Sequence, residues 1–159
     1  MRFQKTSVVD FPIGAVSDFH RNPKILKELT PPLAPVYFHR IEPLNEGSIV
    51  EMTIWLGCFP VFWRAKHIEV QKLSGFSDIQ EKGPFKLWKH VHRFHDLENG
   101  KTEIDDNIEA EFKPGLKGMP GRLIWMGLHM LFYFRHWKTR KMLARFYPNA
   151  GYAIQYETR

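Results

Sequence analysis

The alternation of apolar and polar residues predicts seven β-strands, two short helices and one long C-terminal helix. Period-two alternation bounded by Gly, Pro, Asn and Asp is typical of strands. Two short helices, Ile13–Asn22 and Lys24–Leu29, are separated by Pro23, which fits the first position of the second helix. From Pro120 to about Tyr147 the periodicity is helical. The predicted strands are Phe3–Val9, Val36–Ile41, Ser48–Leu56, Phe62–Gln71, Phe76–Glu81, Phe85–His95 and Thr102–Phe112.

This order of elements predicts an α+β architecture. Consecutive strands with short connections form an antiparallel sheet, and one long helix is available to cover its inner face. A curved sheet wrapped on one helix leaves either a gap that binds apolar ligands or a core filled by large side chains, and both alternatives stay open. The helical positions expected to face the sheet are Leu123, Gly127, Met130, Phe134 and Trp137, flanked by Ile124, Leu128 and Leu131.

The hairpin made by the last two strands carries the most informative polar residues. A two-residue turn at Asn99-Gly100 would mix polar and apolar side chains on both faces. A three-residue loop with left-handed Gly100 instead gives one apolar face and one ladder of opposite charges. We favour this second register, which sets His92 opposite Asp106. His90, His92 and Asp106 then point inward among Trp88, Phe94, Ile104, Ile108 and Phe112.

The facing pair of His92 and Asp106 is the candidate chemistry of this hairpin. A carboxylate buried without a partner is strongly destabilised or becomes protonated, and an imidazole opposite it supplies the partner. Three interpretations stay open: a polar cluster that fixes the register, a contact to the polar group of a bound molecule, or general acid–base catalysis. His92 and Asp106 are therefore the candidate catalytic residues.

Composition and charge narrow the class of protein. The 159 residues, 43% hydrophobic and 25% charged, predict one folded domain over residues 1–159. The 23 basic against 17 acidic residues give a net charge of +6, which favours acidic partners. Cys58 stands alone, the N-terminal segment is polar, and the longest apolar stretch, Leu123–Phe134, is too short for a membrane span. We therefore expect a cytoplasmic protein.

A spaced motif runs from Phe76, Asp78 and Gln80 through Gly83-Pro84-Phe85, Trp88, His90, His92 and Phe94 to Gly100, Thr102 and Asp106. It resembles one branch of the START/Bet v 1-like (SRPBCC) superfamily, whose members are described as polyketide cyclase/dehydrase-like or ligand-binding, and the resemblance covers nearly the whole chain. The resemblance implies a helix-grip fold, in which a seven-stranded antiparallel sheet holds the C-terminal helix over a deep apolar cavity. It implies no catalytic role for any matched residue, only a place in the cavity wall or its support. In the final helix, Phe134, Trp137, Lys138 and Arg140 also match.

Eight histidines raise the question of a metal site. His90-x-His92 puts two imidazoles on one strand face, and His67, His129 or Asp106 could supply a third ligand. Neither an HExxH motif nor a cysteine pair accompanies them, so we predict no metal and no other cofactor.

The basic charge and the aromatic residues bear on two classes of macromolecular partner, nucleic acids and membranes. The sequence has no stacking motif and no Gly-rich phosphate loop, so we expect no nucleic-acid binding. The basic, aromatic end of the last helix, with Trp137, Phe146 and Tyr147, supports transient contact with a membrane surface as a further hypothesis.

The leading functional hypothesis is binding of a small hydrophobic molecule, such as a lipid, an isoprenoid or an aromatic polyketide-like compound, by a monomer or homodimer. The alternative is a cyclase or dehydratase-like enzyme that uses the His92–Asp106 pair. In the strand 62–71 we favour Trp63, Ala65, His67 and Glu69 as inward-facing. The predicted ligand-binding residues are Trp63, His67, Phe76, Asp78, Trp88, His90, His92, Phe94, Ile104, Asp106, Ile108, Gly127, Met130, Leu131 and Phe134.

Overall fold

The computed structural model describes residues 1–32, 35–97 and 99–148. The strands are β1 (Arg2–Val9), β2 (Val36–Ile41), β3 (Ile49–Leu56), β4 (Phe59–Gln71), β5 (Gly75–Lys82), β6 (Phe85–Leu97) and β7 (Lys101–Phe112). The helices are α1 (Ile13–Arg21), α2 (Pro23–Glu28), α3 (Met119–Met126) and α4 (Leu128–Phe146), with a 3-10 turn at Gly115–Gly118 before α3.

The seven strands form one antiparallel sheet in the order β1-β7-β6-β5-β4-β3-β2. The first strand crosses to pair with the last, and the remaining neighbours follow the chain. The sheet is curved around the C-terminal helix, so the predicted α+β architecture is confirmed. Pro23 begins α2 as predicted, and the side chain of Asn22 caps that helix by accepting from the Lys24 N–H.

The predicted register of the β6–β7 hairpin is also confirmed. Leu97 pairs with Lys101 across a three-residue loop, and Gly100 has φ of +68°. His92 lies opposite Asp106. The neighbouring pairs are Trp88–Ala110, His90–Ile108 and Phe94–Ile104 on the inner face, and Lys89–Glu109 and Arg93–Asp105 on the outer face, which give the predicted apolar face and ladder of opposite charges.

The C-terminal helix departs from prediction, because it is two helices rather than one. Gly127, with φ of −82° and ψ of −7°, lies between α3 and α4 and ends α3 by donating to the carbonyls of Leu123 and Ile124. Glycine disfavours a continuous helix because it loses the most backbone freedom on folding. The hydrophobic periodicity alone did not reveal this interruption.

The face that the helix turns toward the sheet is also different from the one predicted. Leu123, Met130 and Trp137 are exposed, although their spacing had placed them inward. Both faces of α4 carry large apolar residues, so periodicity could not choose between them. The buried face consists of Leu128, Phe132, His136, Thr139 and Leu143.

One predicted side-chain direction in β4 is wrong. Trp63 and Ala65 are buried on the inner face as expected. Glu69, however, sits at a β-bulge with φ of +54°. The bulge turns its carboxylate to the outer face, where it accepts from Ser77 Oγ at 2.7 Å and Lys89 Nζ at 3.0 Å.

The core consists of two apolar clusters with a polar layer between them. The first cluster contains Trp63, Phe85, Trp88, Ile108 and Phe132, and the second contains Val16, Phe19, Phe94, Ile104 and Leu143. On β6, β7 and α4, a buried histidine or aspartate lies between residues of the first cluster and residues of the second. These buried polar residues are His90 and His92 on β6, Asp106 on β7 and His136 on α4.

Gly75 is a position where this packing depends on a missing side chain. It has φ of +110°, and an added Cβ would lie 1.9 Å from the carbonyl oxygen of His92. We expect Gly75→Ala to lower the free energy of unfolding by about 2–3 kcal/mol, because both the conformation and the contact are strained. Gly14→Ala is the matched control, since nothing lies within 4 Å of its added Cβ in α1. Urea unfolding that shows equal stability for both variants would contradict the expectation.

Candidate functional site

A cleft between the sheet and the C-terminal helices is divided into two connected lobes. The apolar lobe has a volume of about 260 Å³ and is lined by β2, β3, β4, β6, α3 and α4. The polar lobe has a volume of about 140 Å³ and extends toward α1 and α2. The residues shared by both lobes are Leu26, Val50, His67, Asp78, His90, Phe132 and Arg135.

The apolar lobe is walled mainly by aromatic and aliphatic side chains. Trp63 and Trp88 pack edge to face, with ring centres 5.0 Å apart, and form one wall. Met52 and Ile54 on β3 and Leu131 on α4 complete it. An internal cavity of roughly 150 Å³ accepts benzene, so this lobe has room for a larger apolar group.

The polar lobe is organised around the carboxylate of Asp106, which is 2% exposed. Its Oδ1 accepts from His90 Nε2 at 2.6 Å and from His92 Nδ1 at 2.5 Å. Its Oδ2 accepts from His136 Nε2 at 2.7 Å. Three imidazoles from two elements therefore surround one buried carboxylate.

His90 lies between two carboxylates. Its Nδ1 is 2.9 Å from Asp78 Oδ2, while its Nε2 contacts Asp106. Both ring nitrogens carry a proton only in the imidazolium form, so these two contacts favour a charged His90. Burial lowers the pKa of His90, but the two carboxylates outweigh burial and raise it to about 9.

The same contacts stabilise the ionised forms of the two carboxylates. Burial opposes ionisation of Asp106, but its histidine partners hold its pKa well below the usual range. Burial likewise acts against ionised Asp78, and His90 more than offsets it, so the pKa of Asp78 is also lowered. Two carboxylates, the His90 imidazolium and the Arg135 guanidinium thus give a nearly neutral cluster.

His92 is held at one nitrogen only. Its Nδ1 contacts Asp106, whereas its Nε2 is buried and has no hydrogen-bond partner within the described part of the chain. The ring packs against those of His20, Phe76 and Phe94 at centre distances of 4.8–5.1 Å. An imidazole that donates to a carboxylate through Nδ1 keeps the Nε2 lone pair available as a base.

Two further basic groups border the polar lobe. Arg135 on α4 lies over the Phe132 ring at 5.4 Å, and its buried Nε has no partner among residues 1–32, 35–97 and 99–148. His20 on α1 donates through Nδ1 to the Val16 carbonyl at 2.8 Å. Burial, with repulsion from His92, lowers the pKa of His20 to about 3, so this ring is neutral.

His136 connects the cluster to the first strand. Its Nε2 contacts Asp106, and its Nδ1 lies 2.6 Å from Ser7 Oγ on β1. With Nε2 protonated, Nδ1 accepts from the serine hydroxyl. Ser7 therefore supports the orientation of His136 rather than facing either lobe.

The histidine cluster also resembles a metal site. Ligand atoms of His90, His92 and Asp106 lie within 4.8 Å of one another. Atoms that bind one tetrahedral zinc ion at about 2.0–2.1 Å are roughly 3.3 Å apart. The nitrogen–oxygen distances here are 2.5 and 2.6 Å, which are hydrogen-bond lengths. A metal ion would bind only if these atoms moved apart and released their protons.

Most of the predicted site residues lie on the cleft. The apolar lobe includes Trp63, Trp88, Gly127, Met130 and Leu131; the polar lobe includes Phe76, His92 and Asp106; and His67, Asp78 and His90 border both.

Four predicted residues do not line either lobe. Phe94 and Ile104 belong to the second apolar cluster, and Ile108 belongs to the first. They point inward as predicted, but neighbouring side chains cover them. Phe134 packs near Trp137, with ring centres 5.8 Å apart, because the helix presents a different face to the sheet.

Three site residues were missed in the sequence: His20, Arg135 and His136. His136 could have been predicted, because a buried carboxylate with several acceptor positions needs more donors than one hairpin supplies. A helix face containing His136 provides such a donor. No sequence pattern indicated that α1 would bring His20 to the same site.

The fold of the chain is similar to that of several solved structures. No protein-family model and no curated protein matches the chain. Among solved structures, a nucleoside-diphosphate sugar epimerase from Corynebacterium glutamicum is 23% identical, with a TM-score of 0.65 over 87% of this chain and 28% of that one. Norcoclaurine synthase from Thalictrum flavum, in complex with dopamine and hydroxybenzaldehyde, is 17% identical, with a TM-score of 0.67 over 91% and 87%. Ara h 8.0201 is 11% identical, with a TM-score of 0.57 over 87% and 97%.

The chain has the START/Bet v 1 helix-grip fold. It spans little more than a quarter of the epimerase chain but most of the other two proteins. Within this helix-grip fold the cleft lies between the gripping sheet and α3–α4, where the resemblance had implied a cavity. None of the described helices combines the length and hydrophobicity needed to cross a membrane.

Because His90 is charged in the folded state, this helix-grip protein should become less stable at alkaline pH. Its surroundings are Asp78 on β5, Asp106 on β7, His67 on β4, His92 on β6 and Arg135 on α4. Unfolded His90 releases its proton near pH 6.5, whereas the folded protein holds it to about pH 9. The folded state therefore binds more protons between these values, and the free energy of unfolding should fall by about 3 kcal/mol as the pH rises through them.

Urea unfolding at a series of pH values measures this dependence. His90→Gln should be less stable at pH 6.5 and should lose most of the alkaline slope. His129→Gln is the matched control, because this exposed histidine lies outside the cluster. An unchanged slope in His90→Gln would show that His90 is not charged in the folded protein.

Proposed function

We propose that this chain, as one domain over residues 1–159, binds a small, mostly apolar molecule in the cleft between the sheet and the C-terminal helices. The observation that carries the proposal is the pairing of an apolar lobe of about 260 Å³ with an adjoining polar lobe of about 140 Å³. Lipids, isoprenoids and aromatic polyketide-like compounds share this division into a large apolar body and a small polar group.

The apolar lobe would provide most of the affinity. Each Å² of apolar ligand surface removed from water contributes about 25 cal/mol, so burial of about 200 Å² contributes roughly 5 kcal/mol. Trp63 and Trp88 offer flat, rigid walls that suit a ring or an unsaturated chain. Met52 and Leu131 are more adaptable and accept ligands of differing shape.

The polar lobe would orient the ligand. Arg135 Nε is a buried donor and His92 Nε2 a buried acceptor of this lobe, and neither has a partner in the described chain. Trp88 Nε1, on the wall of the apolar lobe, is a further buried donor in the same condition. Buried polar atoms are nearly always paired, and an unpaired one is destabilising. A ligand hydroxyl would donate to His92 Nε2, and a ligand hydroxyl or carbonyl oxygen would accept from one of the two donors.

The same fold occurs in a protein whose solved complex holds dopamine and hydroxybenzaldehyde. Those are small aromatic molecules with polar substituents, which agrees with the ligand class proposed here. Transient membrane-surface contact, a cytoplasmic location, and a monomeric or homodimeric state are further parts of the proposal.

Filling the apolar lobe tests the binding proposal. Leu131→Trp adds bulk inside this lobe and should weaken the binding of a fluorescent fatty-acid probe at least about tenfold. Leu87→Trp makes the same change at an exposed position of β6 and should leave affinity unchanged. Native mass spectrometry of gently purified protein should also show bound small molecules. The absence of uptake across lipids and aromatic compounds, or equal affinity in both variants, would contradict the proposal.

A second candidate function is proton-transfer catalysis of the cyclase or dehydratase type. The observation that favours it is the geometry of His92: Nδ1 is fixed by Asp106 at 2.5 Å, and Nε2, beside the polar lobe, has no partner among the described residues. Such a base can take a proton from the carbon next to a ligand carbonyl, while Asp106 stabilises the imidazolium that forms. The imidazolium can then return the proton to a departing hydroxyl, which leaves as water.

His92→Ala separates this function from binding alone. With a β-hydroxy aryl ketone as the probe, turnover should fall at least about a hundredfold, while probe affinity changes less than about threefold. The rate of the unmodified protein should follow the ionisation of one histidine. His129→Gln serves as the control and should keep full activity. If the probe binds but decays no faster than it does without protein, the catalytic candidate is wrong.

A further inference from the structure

The outer face of α3 and α4 carries an exposed apolar stripe. Within each helix its neighbouring members are three or four residues apart, which keeps Met119, Leu123 and Met126 on one side of α3 and Met130, Tyr133 and Trp137 on one side of α4. Met126 is 77% exposed, Tyr133 69% and Met130 61%. The stripe consists of Met119, Leu123, Met126, Met130, Tyr133 and Trp137.

Single exposed apolar residues are common, but a continuous row of them is not. Large contiguous apolar patches on soluble proteins mark sites of interaction with proteins, ligands or membranes. The six large side chains of this row, three on α3 and three on α4, form such a patch. Leaving it in water would give up the free energy that its burial provides.

The charge around the stripe identifies the kind of partner. Residues 113–148 contain no Asp or Glu. Lys117, Arg122, Lys141 and Arg145 lie on or beside α3 and α4, and Lys141 Nζ lies 4.3 Å from the centre of the Trp137 ring. An apolar row with cations along its edges is complementary to a surface with an apolar interior and anionic groups at its boundary.

The stripe also borders the entrance of the cleft. Leu123 and Met130 belong to the stripe and at the same time line the apolar lobe. A partner covering the stripe would therefore lie directly over the way into the cleft. Trp137 and Tyr133 extend it along α4, and both residue types favour the boundary between lipid and water.

We propose that this stripe docks on the surface of an anionic lipid bilayer, with α3 and α4 lying along the plane of the interface. Apolar side chains enter the acyl boundary, and the basic side chains contact lipid phosphates. A second copy of the chain fits less well, because it would bring two sets of cations together. The proposal rests on the membrane-surface contact included in the proposed function and assigns it to this stripe and to anionic lipid. Its failure is distinguishable from failure of ligand binding, since docking and uptake are measured separately.

Vesicle sedimentation tests the proposal. The protein should bind vesicles containing about 30% phosphatidylglycerol at least about tenfold more tightly than phosphatidylcholine vesicles, and about 500 mM salt should remove most of that binding. The double variant Met126→Glu/Tyr133→Glu should lose binding to anionic vesicles while still taking up the fluorescent fatty-acid probe. Leu73→Glu/Leu87→Glu, two exposed leucines elsewhere, introduces the same charge and should bind as the unmodified protein does.

A second variant tests the proposal even if the first variant does not fold. Lys117→Gln/Lys141→Gln leaves the apolar row intact and should weaken binding to anionic vesicles and reduce its salt dependence. Equal binding to neutral and anionic vesicles, or equal loss in the stripe variant and its control, would overturn the proposal. So would sedimentation velocity showing a dimer that Met126→Glu/Tyr133→Glu dissociates, in a protein that binds no vesicles.

Discussion

Burial of the Asp106 carboxylate between two apolar clusters is the constraint on which the rest of the structure depends. A carboxylate in that position is tolerated only when donors occupy its acceptor sites. Three histidines supply them, two from β6 and one from α4. The requirement therefore fixes the register of the β6–β7 hairpin and the rotation of α4 together, because a change in either would leave the carboxylate without a donor.

The same constraint accounts for the two features on which the functional proposals rest. Once His136 has to face the sheet, the row of methionines and aromatic residues on the opposite side of α3 and α4 faces away from it. Once Asp106 holds His92 through Nδ1, the other nitrogen of that ring is left beside the polar lobe. The exposed stripe and the free imidazole nitrogen are thus two results of one buried charge.

Sequence analysis predicted the sheet and the hairpin because strand alternation and charge pairing both supported one register. It succeeded for His90, His92 and Asp106 because neighbours two residues away on a strand share a face. It failed for the helix, whose two faces are similarly apolar, so that only the partner across the core could distinguish them. It also failed for Glu69, where a bulge changes the alternation of side chains, and for His20, which reaches the site through tertiary packing.

The contact between Ser7 and His136 joins residues 129 positions apart in the chain. Among the described residues β1 pairs with β7 alone, and α4 is the last helix. During synthesis β1 therefore stays without its partner until residues 101–112 have been made. Long-range closure of this kind slows folding and leaves a sheet edge open to other chains in the meantime. The rate at which newly made protein becomes native should thus be limited by the meeting of β1 with β7 and α4.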